Sequence, residues 1–365
     1  MSKISKLIGY ASKVKAQTGK SIPSQLMEIK RLHRSGLRLG IEEYYELEIF
    51  NDQLYEDRRK ADCVGWRASA AMDAHLNHSY WRAIANDKLL NYALLQHYGF
   101  PIPDTIAIFS PEGRHIGGEV RLRTESELAT FITHSLQYPV FVKPISGSYG
   151  RGTHLFTAFD PSTASLIDSR GERTHLSDFI TSCTNPYYHG MLFQKCLQPH
   201  SEVRAMTGDT TSCVRVIVVN VENQPRVHMT FWKIARARNI TDNFCMGETG
   251  NLLACINKAN GKIENVISGL WPTGSKIPQH PDTGQQLEGR TLPDWAEAMK
   301  ICLSAAIHFP GLRLQNWDVA LCEQGPVLME LNTESDLAIP QYLSRTPFID
   351  DSIRTLLPAS SSRLS

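Results

Sequence analysis

Apolar positions recur at helical spacing from the start of the chain: Ile4, Leu7, Ile8 and Ala11 share one stripe. Around them Lys3, Lys6, Lys13, Lys15, Lys20, Lys30, Arg31, Arg34 and Arg38 stand with almost no acid. This predicts a basic amphipathic helical region, read either as an extension packing its stripe on the body or as a docking element for an anionic partner or membrane surface. Helical patterning continues from Ile41 to about Arg82, with Tyr44, Tyr45 and Leu47 as packing anchors. The segment DKLLNYALLQHYGFPIPDTIAIF predicts a helix on Leu89, Leu90, Leu94 and Leu95, closed by Gly99, Pro101 and Pro103 before a short strand. Another helix is expected near Thr124, where Glu127 stands in capping-box relation. YPVFVKPISGSYGRGTHLF reads as a buried strand, a glycine-rich turn and a second strand. Further strands are predicted at MLFQKCL, SCVRVIVVNV and RVHMTFWKIA. A polar stretch from about Gly261 to Pro293 then leads into the helix DWAEAMKICLSAAIHF and the strands QNWDVALC and GPVLMELN. The class is α+β (mixed α/β), since strict βαβ alternation is missing and a doubly wound parallel sheet is disfavoured. No internal repeat is present, and the terminal SSSRLS is expected to fray.

Composition narrows the function classes. With 365 residues, 42% of them hydrophobic and 21% charged, the chain implies two domains or one domain of two lobes. Lys+Arg 38 against Asp+Glu 37 leaves a formal charge of +1, which gives no global field to hold the chain to nucleic acid or an anionic bilayer. The eight cysteines are scattered without a C-x-x-C pair, against a zinc site or a disulfide scaffold and in keeping with a reducing cytoplasm. No apolar run approaches the roughly 20 residues of a membrane-spanning helix.

Two constellations could carry chemistry. Lys143 ends an apolar strand and is followed by Ser146, Gly147, Ser148, Tyr149, Gly150, Arg151 and Gly152. Such small residues let backbone N–H groups approach anionic oxygens beside a point charge, although a plain glycine turn has the same look. Later, Asp318 sits in one predicted strand while Glu330 and Asn332 share a face of the next. If these pair as a hairpin through Glu323, Gln324 and Gly325, two carboxylates and an amide oxygen converge, a set that suits Mg²⁺; an ordinary hairpin with outward polar residues is the alternative. Gly19-Lys20-Ser21 is rejected as a P-loop, because Val14 stands where the first glycine belongs and no strand precedes it.

The order Lys88, Lys143 with its loop, MLFQKCL and Asp318…Glu330-Leu331-Asn332 resembles the ATP-grasp fold, in which two α+β lobes clamp MgATP. Within it the chain most resembles the sugar-transfer associated ATP-grasp (α-L-glutamate ligase related) family. The stretches GIEEYYELEIF, LNHSYWRAIANDKLL, YGFPIPDT, FVKPISGSYGRG, TDNFCMGETGNL, HPDTG, LPDWAEA and NWDVALCEQGPVLMELN carry the likeness over roughly residues 40 to 341.

The resemblance implies a division into an N-terminal basic helical region (1–82), an N-lobe with the glycine loop (83–197), a C-lobe with the metal site (198–345) and a tail (346–365). It implies that Lys88 and Lys143 contact the α and β phosphates and that the loop of Gly147, Ser148, Gly150 and Gly152 closes over the β and γ phosphates. Gln194 and Leu197 would meet adenine, His200 or Glu202 the ribose, and Asp318, Glu330 and Asn332 the Mg²⁺. Arg215 and Lys233, with Arg236 adjacent, are candidates to meet charge developing on the phosphoryl group and an oxyanion. Asn316 stands where some carboxylate ligases of this fold have arginine, and Lys233 where the family usually has arginine. Asp242 and Asn243 are read either as binding the amine substrate or ordering the substrate loop, or as a structural Asx turn. The implied activity is ATP-dependent carboxylate–amine ligation through an acyl phosphate, on small-molecule substrates that are sugar-linked or amino acids. A kinase on a small-molecule hydroxyl and a silent nucleotide-binding protein are the alternatives.

Overall fold

The computed structural model describes residues 2–34, 39–147 and 150–357, so Ser148 and Tyr149 lie outside the described residues. The first sheet holds β1 (Thr105–Phe109), β2 (Val120–Leu122), β3 (Val140–Pro144), β4 (His154–Asp160), β5 (Ser165–Asp168), β6 (Arg173–His175) and β7 (Met191–Lys195). Its strand order is β2-β1-β7-β3-β4-β5-β6. The second holds β8 (Cys213–Val221), β9 (Gln224–Ile234), β10 (Leu252–Ile256), β11 (Ile263–Ile267), β12 (Leu314–Cys322) and β13 (Gly325–Asn332), in the order β11-β10-β9-β8-β12-β13. Among the described residues only β1 and β2 pair in parallel, and the sheets are otherwise antiparallel, in keeping with the missing βαβ alternation.

The second sheet explains why SCVRVIVVNV is apolar throughout. Val214, Val216 and Val218 pack in one core with the helix Trp295–Ile307, while Ile217 and Val219 join another with the N-terminal helices. Both faces are covered, so alternation disappears from the strand. On the second face the helical cover reaches Leu314 but stops short of Arg215 and Asp318, and that uncovered end becomes the floor of a cleft.

The basic helices are therefore built into the body. Ser2 caps Lys3–Thr18 by accepting from the Ser5 N–H at 3.2 Å, and Gly19, with φ +75°, ends it in the left-handed region where a Cβ is disfavoured. Ala11 and Val14 with Ile29 and Leu32 of the helix Ile22–Arg34 enter the core beside Tyr44, Tyr45 and Trp271. Glu28 is the hub beneath them: its carboxylate accepts from Lys20 (2.8 Å), Lys60 (2.7 Å) and the Tyr44 hydroxyl (2.6 Å). Lys20 also donates to Asp52 and the Phe50 carbonyl, so it serves as a structural cation.

Residues 346–357, expected in the tail, instead fold back. Asp350 caps the helix Asp351–Leu356, and Phe348, Ile353 and Leu356 are buried in the same core. The capping box of Thr124 and Glu127 forms as expected. In Lys88–His97, Leu89 and Leu95 are buried as expected, but Leu90 is exposed and Tyr92 takes an inner place. Among the described residues no helix is long and apolar enough to cross a membrane.

Removing a partner from a buried ion pair leaves an uncompensated charge. Glu28→Ala, which strips an acceptor from fully buried Lys60, is expected to lower stability by about 3 kcal/mol or more in urea denaturation. A loss below about 0.5 kcal/mol, ordinary for surface sites, would contradict the hub assignment.

Candidate active site

Between the sheets lies a cleft of about 960 Å³, walled by β3, β4 and β7 on one side and by β8, β9, β12 and β13 on the other. Lys88, Lys143, Gly147, Gly150, Gln194, Leu197, Arg215, Lys233, Asp318, Glu330 and Asn332 all line it.

At its base the helix Lys88–His97 places Lys88 and Tyr92 one turn apart. Lys143, buried at the end of β3, donates to the Tyr92 hydroxyl at 2.7 Å, and that hydroxyl donates to the Met329 carbonyl at 2.7 Å. Burial pushes the Lys143 pKa below the usual lysine value, and the charges of Glu330 and Asp318 only partly offset it. Lys143 makes no ion pair within 4.0 Å among the described residues, whereas Lys88 donates to the Gly147 carbonyl at 3.0 Å and lies 3.6 Å from Glu330. The adjoining loop needs its glycines. Gly150 and Gly152 both have φ +70°, and a Cβ would come within 2.8 Å of Asn243 Nδ2 at the first and of the Tyr188 ring at the second.

On the floor, register creates a charge cluster. Asp318 pairs across β12–β8 with Arg215 and across β12–β13 with Glu330. Arg215 grips Asp318 through Nε to Oδ1 (2.5 Å) and Nη2 to Oδ2 (2.9 Å). Lys233 joins Asp318 and Asp242 at 3.1 Å each, and Asn332 Nδ2 donates to Asp318 Oδ2 at 3.3 Å. Burial by itself would raise the Asp318 pKa, but Arg215 and Lys233 overcome it and hold the carboxyl at about 2. The Lys233 pKa is likewise lowered by burial and raised further by Asp242 and Asp318, with a net rise. Asp242 also accepts from the Cys213 N–H at 2.7 Å, which fixes the TDNF segment to the start of β8.

Some expected residues are not brought to the cleft wall. His200 caps the helix Ser201–Thr207, its Nδ1 accepting from the Glu202 N–H at 3.2 Å, and the chain there turns onto β12. Neither His200 nor Glu202 lines the cleft, nor does Gly152. Arg236 is also absent from the lining: its guanidinium forks onto Asp282 at 2.7 and 2.6 Å. Gln194 donates to Thr105 Oγ1 at 3.2 Å, while its buried Oε1 has no partner in the protein and could accept from a ligand amino group.

The opposite end contains residues that the sequence did not reveal. Trp66 and Ser69, from the helix Trp66–Leu76, face Glu334 and Asp336 beyond β13. Asp336 accepts from the Trp66 indole N–H and from the Ala338 N–H, the latter at 3.0 Å. Burial raises its pKa to about 6 against the pull of these two bonds. Glu334 pairs with Arg82 at 3.3 Å, but Asp336 has no cationic partner among the described residues.

Residues 67–347 match the model of the family described as sugar-transfer associated ATP-grasp. The chain belongs to that family, and its two-lobed α+β architecture is the ATP-grasp fold. Among solved structures, it is similar to D-alanyl-alanine synthetase A from Vibrio cholerae (10% identity, 78% of this chain and 64% of that one, TM-score 0.42). It is also similar to N5-carboxyaminoimidazole synthase from Aspergillus clavatus, in complex with ADP and a 5-aminoimidazole ribonucleotide (12% identity, 85% and 65%, TM-score 0.40). A third likeness is to biotin carboxylase from Campylobacter jejuni in a β-γ-ATP complex (12% identity, 77% and 48%, TM-score 0.39). The chain spans 48–65% of the length of these three. No curated protein matches it.

Asp336 supplies a pH test. A carboxyl whose folded pKa of about 6 exceeds its unfolded value near 3.9 opposes folding when ionised, with no cost below about pH 4 and the full cost above about pH 6. Between pH 4 and pH 8 the stability of Asp336→Asn relative to the parent is therefore expected to shift in the variant's favour by up to about 3 kcal/mol. Urea denaturation across that range checks it, and a difference independent of pH would contradict the assignment.

Proposed function

We propose that the chain is an ATP-dependent carboxylate–amine ligase that binds ATP with Mg²⁺ in this cleft. The observation that carries the reading is Lys143, a buried ammonium with no carboxylate within ion-pair distance, beside a loop whose glycines allow close backbone approach. A buried cation in that state is matched by an anionic ligand, and a polyphosphate offers charge and acceptors together. The orphan Gln194 Oε1, on the strand paired with β3, suits the exocyclic amino group of adenine.

In this reading Lys88, Lys143 and the loop of Gly147 and Gly150 hold the phosphates, with Ser148 and Gly152 completing the loop. Asp318, Glu330 and the amide oxygen of Asn332 would supply oxygens to a hard cation; here the ionised Asp318, with its pKa of about 2, accepts instead from Arg215, Lys233 and Asn332 Nδ2. When bound, Mg²⁺ offsets charge on the transferring phosphoryl group. Arg215 and Lys233 hold positive charge at the floor where an oxyanion would develop, and Arg236 belongs to the surrounding substrate loop.

The substrate carboxylate attacks the γ-phosphorus as the bond to the bridging oxygen breaks, giving an acyl phosphate and ADP. Asp336 takes a proton from the substrate ammonium at the acidic end, and the freed amine attacks the carbonyl carbon. The C–N bond forms, the C–O bond to phosphate breaks and phosphate leaves carrying the second amine proton. The family description motivates sugar-linked or amino-acid substrates, and the cysteine pattern a cytoplasmic setting.

Two outcomes test this. By calorimetry, Lys143→Met is expected to bind MgATP about ten- to a hundredfold more weakly than the parent, the worth of a charge-assisted hydrogen bond. Unchanged affinity would remove the phosphate assignment. Supplied with a panel of amino-acid and sugar carboxylates and hydroxylamine as amine, the enzyme should form a hydroxamate together with ADP. A stable phosphate ester formed with ADP and no hydroxamate would establish the kinase reading instead.

A further inference from the structure

The helical hairpin lies ahead of the family-matched region and contributes nothing to the cleft lining. Its inner stripe is occupied by Ala11, Val14, Ile29 and Leu32, yet a second set of apolar residues points to solvent: Ile4 is 71% exposed, Ile8 61%, Leu26 56% and Met27 68%. Helical spacing orders this outer face. Ile4 and Ile8 run one turn apart towards Lys15, and Leu26 leads at the same spacing to Lys30 and Arg34. Each outer stripe thus begins apolar and ends basic.

The charges on this face are uncompensated. Glu28 is the one acid in residues 2–34, and Lys20, Lys60 and Tyr44 enclose its carboxylate. The packed elements contribute Glu42, Glu46 and Asp57, which pair with Lys3, Lys6 and Arg31 respectively, and Asp52, which pairs with Lys20 and Lys60. Lys15, Lys30 and Arg34 are exposed and form no ion pair within 4.0 Å among the described residues. The buried hub below ties the hairpin to the body.

We propose that this hairpin docks the protein on a bilayer containing anionic lipids, setting Ile4, Ile8, Leu26 and Met27 into the interface while Lys15, Lys30 and Arg34 meet the headgroups. Exposed aliphatic side chains among unpaired cations match such a surface in both respects, whereas a purely polyanionic partner would leave the apolar residues in water. Each basic residue near an anionic surface favours binding by about fivefold, so three give a preference on the order of a hundredfold. Attachment is peripheral, and it is independent of the chemistry in the cleft.

The test is flotation of the full chain with phosphatidylcholine vesicles, with or without about one third phosphatidylglycerol. The protein should float with the anionic vesicles alone and be released by high salt. The triple variant Lys15→Glu, Lys30→Glu, Arg34→Glu should lose at least about tenfold in binding, and Ile8→Asn with Leu26→Asn should weaken it as well. All altered side chains are exposed, and an unchanged melting temperature verifies the fold. Failure to float with anionic vesicles overturns the proposal. So does equal binding by the charge-reversed variant, or full displacement from vesicles by a soluble poly-glutamate peptide, which would assign the face to an acidic protein.

Discussion

A carboxylate buried between two cations dictates much of the C-terminal lobe. Removing Asp318, Arg215 and Lys233 from water is unfavourable for each alone, and it is tolerated only when their geometry satisfies all three. That geometry exists because Arg215 lies directly across from Asp318, and Lys233 lies two residues beyond Phe231, the β9 partner of Arg215. A slip of one residue in either pairing would turn a charged side chain into the Val216 and Trp232 core on the other face. The cluster therefore specifies register as well as chemistry, and Asp242 extends its influence to the loop that leans on Gly150.

From this floor the cleft divides by charge. Lys143 leaves one end with an unpaired cation, the Asp318 cluster balances the middle, and Asp336 leaves the far end with an unpaired acid. Such a sequence of environments can hold a polyphosphate, shield a transferring group and receive an ammonium in turn. The helix Trp66–Leu76 completes the arrangement by supplying Trp66 to Asp336, while the outer surface of the N-terminal hairpin remains available for a different task.

Features fixed by near neighbours were legible in the sequence. The hairpin of β12 and β13, which aligns Asp318 with Glu330, follows from alternation over a short turn, as does the Lys143 strand with its glycine loop. The capping box at Thr124 needs only four residues of context. What escaped depends on long-range closure: Trp66 meets Asp336 across 270 positions, and no local pattern marks either residue. Strand β11 was hidden because IENVI sits in a polar stretch, and the helix Asp351–Leu356 because six residues carry too little periodicity. His200 and Arg236 illustrate the converse. Their residue types suited a ligand, but a helix cap and Asp282 engage them first.

The most direct measurement is a crystal structure of the chain grown with Mg²⁺ and a non-hydrolysable ATP analogue. The account predicts the triphosphate between Lys143 and the Gly147–Gly152 loop, the adenine beside Gln194 and Leu197, and the metal on oxygens of Asp318, Glu330 and Asn332. A nucleotide bound elsewhere, or one in the cleft with Lys143 still turned to Tyr92 and away from the phosphates, would contradict it.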